Sequence, residues 1–130
     1  MRICLSATAA LALFTLALAP SGSADAAGAI ASGECGAYGT AWNSANPAEA
    51  RLAALERCTG HGGRGCSVVL EFENSCGALA IEMADSCGTT GWVSRSDLGE
   101  AQNTAIEACQ NAAGGRECVT RAWACDTVSE

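Results

Sequence analysis

Residues 58–66 read Cys-Thr-Gly-His-Gly-Gly-Arg-Gly-Cys, and residues 109–118 read Cys-Gln-Asn-Ala-Ala-Gly-Gly-Arg-Glu-Cys. Each is a glycine-rich turn bracketed by two cysteines, and each closes on Gly-Gly-Arg-x-Cys. The match continues outward. Upstream, Cys35-Gly36-Ala37-Tyr38-Gly39 is echoed by Cys87-Gly88-Thr89-Thr90-Gly91, and one further cysteine, Cys76 or Cys125, completes each set of four. Between these landmarks, Asn46, Glu49, Ala50, Ala54, Leu55, Glu56 and Cys58 fall on Asp97, Glu100, Ala101, Ala105, Ile106, Glu107 and Cys109. The chain is one unit written twice, with repeats over about 28–75 and 76–126.

The paired segments carry helix signals. Asn46 and Asp97 can each accept a hydrogen bond from a free backbone N–H, and a glutamate follows three residues later in both. Pro47 stands at a first helical position, where its missing N–H costs nothing. Matched apolar residues recur at i, i+4, i+5 and i+8, on one side of a helix. Helices are therefore expected near 47–58 and 98–111, and their alanine and cysteine faces suit close packing on a sheet. Strands are expected at 28–32, 37–43, 67–72, 78–83, 89–94 and 119–124. Val68, Leu70 and Phe72 alternate with Val69, Glu71 and Glu73, as do Val119, Arg121 and Trp123 with Thr120, Ala122 and Ala124, the period of a half-buried strand.

The fold class that results is α+β: a duplicated β-β-α-β unit with pseudo-twofold symmetry, two helices packed on an antiparallel or mixed sheet system, stapled by disulfides. A single copy is too small to bury its own apolar face. Of nine cysteines, Cys4 falls in the N-terminal segment read below as an export signal; the eight of the two sets allow 105 pairings, and the symmetry prunes them. Cys58–Cys66 and Cys109–Cys118 become equivalent local bridges, while Cys35–Cys87 and Cys76–Cys125 join equivalent positions of the two halves.

Residues 1–26 read as an export signal, with Arg2, an apolar run over 5–19 and Ala24-Asp25-Ala26 as the cleavage motif. The remainder, 27–130, is one small domain. Its expected place is outside the cytoplasm, secreted, periplasmic or in the cell envelope, where disulfides persist. Seven arginines, no lysine and 14 acidic residues give a net charge of −7; removing 1–26 takes one charge of each sign. Such a balance disfavours nucleic acid and, once the signal is gone, membrane as partners.

Candidate chemistry is sparse. The cysteine spacings lack the close pairs of zinc sites or redox motifs, so no metal and no cofactor are expected. His61, the one histidine, has no acid or nucleophile beside it in sequence. Glu71 and Glu73 project from one strand face about 7 Å apart, a separation that an inverting glycosidase can use; the simpler expectation is a solvent-facing edge with one glutamate paired to Arg121. Trp42, Trp92 and Trp123, with Tyr38 and Phe72, are expected in the core. Any tryptophan left exposed becomes an anchor for a binding surface.

The runs Gly-Ala-Ile-Ala (28–31), Cys-Gly-Ala-Tyr-Gly (35–39), Ala-Leu-Glu-Arg-Cys (54–58), Cys-Ser-Val-Val (66–69), Cys-Gly-Ala-Leu-Ala (76–80) and Arg-Ala-Trp-Ala-Cys (121–125) resemble family 4189 of the domains of unknown function, DUF4189. The resemblance implies a small exported bacterial domain with no established catalytic activity, to whose usual cysteines Cys35 and Cys87 are an addition. The functional expectation is a non-enzymatic recognition module for a protein partner of effector, inhibitor or immunity type. A small envelope hydrolase using Glu71 and Glu73, or a structural cell-wall protein, is the alternative.

Overall fold

The structure, a computed structural model, describes residues 27–126; the expected export signal lies outside them. In chain order the elements are β1 (Ala27–Ser32), β2 (Tyr38–Ser44), α1 (Pro47–Gly60), β3 (Ser67–Glu73), β4 (Ser75–Glu82), β5 (Thr90–Arg95), α2 (Leu98–Ala112) and β6 (Cys118–Asp126). Both helices start where the capping signals stand. Asn46 accepts the Glu49 N–H at 2.9 Å, and Asp97 accepts the Glu100 N–H at 2.9 Å.

The expected sheet system consists of two three-stranded sheets, ordered β2-β1-β3 and β5-β4-β6, antiparallel throughout. Asn74 alone links β3 to β4 and so carries the chain from one sheet to the other. Each half contributes a sheet with its helix on the outer face. Ala27, Ala29, Ala31 and Ala41 meet Ala50, Ala54 and Cys58 of α1, while Cys76, Ala78 and Ala80 meet Ala101, Ala105 and Cys109 of α2. The inner faces close on each other through Ile30, Phe72, Leu79, Ala122 and Ala124. The order of layers is helix, sheet, sheet, helix.

The duplication extends to irregularities. The β1/β3 register slips between Ile30 and Ala31, skipping Val69, and the β4/β6 register slips between Leu79 and Ala80, skipping Arg121. Val69 and Arg121 are equivalent when Cys66 is laid on Cys118. These bulges correct the simple alternation expected of β3: Val68 packs on the helix side, whereas Val69, Leu70 and Phe72 pack toward the other sheet. An extra residue in one strand reverses the face that its neighbours present.

Four disulfides complete the structure: Cys35–Cys87, Cys58–Cys66, Cys76–Cys125 and Cys109–Cys118. Two tie each helix end to the following strand, and two cross between the halves.

The expectation that the tryptophans form the core is overturned. Trp42, Trp92 and Trp123 are 50%, 42% and 52% exposed. The reason lies in the layer spacing. Alanine, cysteine and glycine fill the buried positions between helix and sheet, so the layers sit too close to admit an indole ring. Gly39 and Gly91, at equivalent places on β2 and β5, lie directly against the backbones of α1 and α2.

Candidate functional site

The exposed tryptophans are not scattered evenly. Trp42 comes from β2 of the first half and Trp123 from β6 of the second, yet both line one groove of about 320 Å³ together with Leu98, Ala124 and Cys125. Leu98 opens α2, directly after the capping Asp97. The Arg57 guanidinium lies over the Trp42 ring, 5.1 Å from its centroid, and donates to the carbonyl of Thr40. Stacked and hydrogen-bonded in this way, it limits the rotation of the indole. Trp92 lies on β5, in neither the same strand nor the same groove.

The first half holds the counterpart of this groove. Between the start of α1 and β3, a cavity of about 410 Å³ is lined by Ala27, Gly28, Pro47, Glu71, Phe72 and Glu73. Laying Cys66 on Cys118 places Glu71 on Trp123, Phe72 on Ala124 and Glu73 on Cys125. The two hollows share equivalent positions on β3 and β6 and at the helix starts, occupied by acidic side chains in the first half and by an indole in the second. Glu71 and Glu73 thus share a cavity, as their strand spacing implies. The expected ion pair with Arg121 is not formed: Glu71 is bound at 2.6 Å by Arg51 of α1, because β3 and β6 belong to different sheets. Arg121 instead donates its Nε–H to the Gly36 carbonyl at 3.0 Å and lies over Tyr38, 5.3 Å from the ring centroid.

His61 stands exposed just past the end of α1, on a depression that Arg64 and Arg121 also line. Among the described residues, no three His, Cys, Asp or Glu side chains are grouped as metal ligands would be.

Two buried acids went unnoticed at the level of sequence. Glu82, 4% exposed, accepts from Arg116 at 2.8 Å and from the Thr89 N–H at 3.2 Å. The arginine first, then the backbone N–H, hold its pKa down at about 2. Asp126, fully buried, accepts the Asn43 N–H at 2.8 Å through Oδ1, while Oδ2 has no partner among the described residues. The repeat gives no hint of the first, since the position matching Glu82 in the other half is Gly33.

Residues 27–125 match the family described as domain of unknown function (DUF4189). Among curated proteins, the uncharacterized proteins Mb1843c of Mycobacterium bovis and Rv1813c of Mycobacterium tuberculosis are each 41% identical over 76 residues. That segment is 58% of this chain and 50% of theirs, so the chain spans about half the length of the curated relatives it matches. Among solved structures, the NMR structure of Rv1813c aligns over 97% of this chain and 99% of that one, with 24% identity and a TM-score of 0.49.

Proposed function

The chain belongs to the DUF4189 family, and we propose that it works outside the cytoplasm as a non-enzymatic recognition module, with the Trp42–Trp123 groove as its contact surface for a protein partner. The observation that carries this is the meeting of two half-exposed indoles, one from each half, in a single apolar groove. A small domain normally hides such side chains, and half-exposed aromatics in a concave setting are the usual anchors of protein interfaces. The charges around it balance: Asp97 caps α2 beside Leu98, Glu100 faces Arg95 at 3.8 Å, and Arg57 lies on Trp42. The fitting occupant is a polypeptide segment that presents an aliphatic or aromatic side chain to the two indoles. Four disulfides suit an oxidising compartment.

The test begins with proteins captured from the producer's surroundings, identified by mass spectrometry and purified. Their affinity is then measured by calorimetry against the wild-type chain, Trp42→Ala, Trp123→Ala and Trp92→Ala. Hot-spot loss at the groove predicts a fall of roughly thirty-fold for Trp123→Ala and little change for Trp92→Ala. Equal affinity of all four forms would end this proposal.

The hydrolase alternative draws on the shared cavity of Glu71 and Glu73 and has less support. Glu71 is committed to Arg51, and the one aromatic there, Phe72, is buried and offers a sugar ring no platform. Glycan cleavage that vanishes in Glu71→Gln would reverse that ranking.

A further inference from the structure

The two Gly-Gly-Arg-x-Cys turns place Arg64 and Arg116 at equivalent positions, but the two arginines meet different surroundings. Arg116 is neutralised from within, its guanidinium 2.8 Å from the Glu82 carboxylate. The position matching Glu82 in the first half is Gly33, since Ser32 pairs with Ser67 as Ile81 pairs with Val119. Gly33 has no side chain, and a Cβ there would lie 2.6 Å from the Arg64 carbonyl oxygen. Arg64 is thus deprived of the counter-ion that its twin possesses.

The same depression holds a second arginine. Arg64, Arg121 and His61 line it together with Glu34, Cys35, Ala37, Gly62 and Gly63, about 340 Å³ in volume. An adjoining hollow of about 310 Å³ shares His61 and Arg121 and reaches Tyr38. Arg121 is held in place by Gly36 and Tyr38 through its Nε–H and its face, which leaves the N–H groups of its terminal nitrogens for other acceptors. Among the described residues, no carboxylate comes within ion-pair distance of Arg64 or Arg121, Glu34 included; the pairs formed are Arg51–Glu71, Arg95–Glu100 and Arg116–Glu82. The last carbonyls of α1 do not compete, being capped by the N–H groups of His61, Gly62 and Gly63.

We infer that this depression is a binding site for a carboxylate anion, held by Arg64 and Arg121. In a chain of net charge −7, two arginines that form no ion pair among the described residues line one hollow against the single carboxylate of Glu34, a local exception that invites an anion. Arginine forks match the two oxygens of a carboxylate. Glu82 on Arg116 is the protein's own version of the complex. The inference is independent of the aromatic groove.

The test is an NMR titration of the full folded protein with sodium succinate, sodium citrate and inorganic phosphate, each compared with sodium chloride at equal ionic strength. The carboxylates are expected to shift the Nε–Hε signals of Arg64 and Arg121 and the ring signals of His61 saturably, leaving Arg116 unmoved. Arg64→Gln, at an exposed position, should weaken succinate and citrate at least five-fold with the backbone spectrum otherwise kept; Arg121→Gln serves as the second variant. The assignment fails if the carboxylates do no more than chloride or shift Arg116 equally. It also fails if binding survives both substitutions or if phosphate binds more tightly than either carboxylate.

Discussion

The ring of Phe72 lies on Gly77 of the facing sheet so closely that a Cβ on Gly77 would come within 2.6 Å of Phe72 Cε1. The same ring covers Gly28, its cross-strand partner in β1. One phenyl group therefore fills the space between two central strands, and its counterpart in the second half, Ala124, leaves room for it. Gly77→Ala should cost about 1–3 kcal/mol by overpacking, read from urea unfolding. If this contact is the cause, Phe72→Leu should recover part of the loss when the two substitutions are combined; simple additivity would show that the strain lies elsewhere.

Asp126 binds the Asn43 N–H across the two halves and is itself fully buried. Asp126→Ala should lower stability by about 1–3 kcal/mol, the cost of leaving a buried donor without its acceptor. Asp126→Asn retains an acceptor for Asn43 and should cost less. The comparison by chemical denaturation at neutral pH separates the bond from simple loss of volume.

Glu82 gives the domain an acid-sensitive contribution. Its pKa falls from 4.5 to about 2 on folding, so the unfolded chain takes up the proton first. The stabilisation is fully present above pH 4.5 and is lost as pH drops through about 2. Glu82→Gln should have a melting temperature a few degrees below wild type at pH 7, with the gap narrowing between pH 4.5 and 2. A gap that stayed constant over this window would assign the loss to packing instead.

The disulfides should differ both in weight and in access. Chain entropy gives about 4 kcal/mol for a bridge such as Cys76–Cys125 and about 2.5 kcal/mol for Cys58–Cys66. Double alanine variants should follow that order in unfolding experiments. Cys35 and Cys87 are both exposed, whereas Cys58 and Cys109 are fully buried. Limited reduction followed by alkylation and peptide mapping should label Cys35 and Cys87 first. Earlier labelling of Cys58 or Cys109 would contradict the structure.

The duplication, both helices with their caps, the position of every strand to within a few residues and the disulfide-rich α+β fold were legible in the sequence. Each rests on local chemistry: Asn46 and Asp97 as caps, Pro47 at a first turn, cysteines at matched spacings. The tertiary structure alone decided where the large side chains go. Trp42, Trp92 and Trp123 are as apolar as any core residue, and only the close approach of alanine-lined layers forces them outward, where two of them from different halves share a groove. The same holds for charge. That Arg116 has an internal partner while Arg64 has none depends on Glu82 and Gly33 being brought to equivalent places by strand pairing, a long-range relation that periodicity along the chain does not encode.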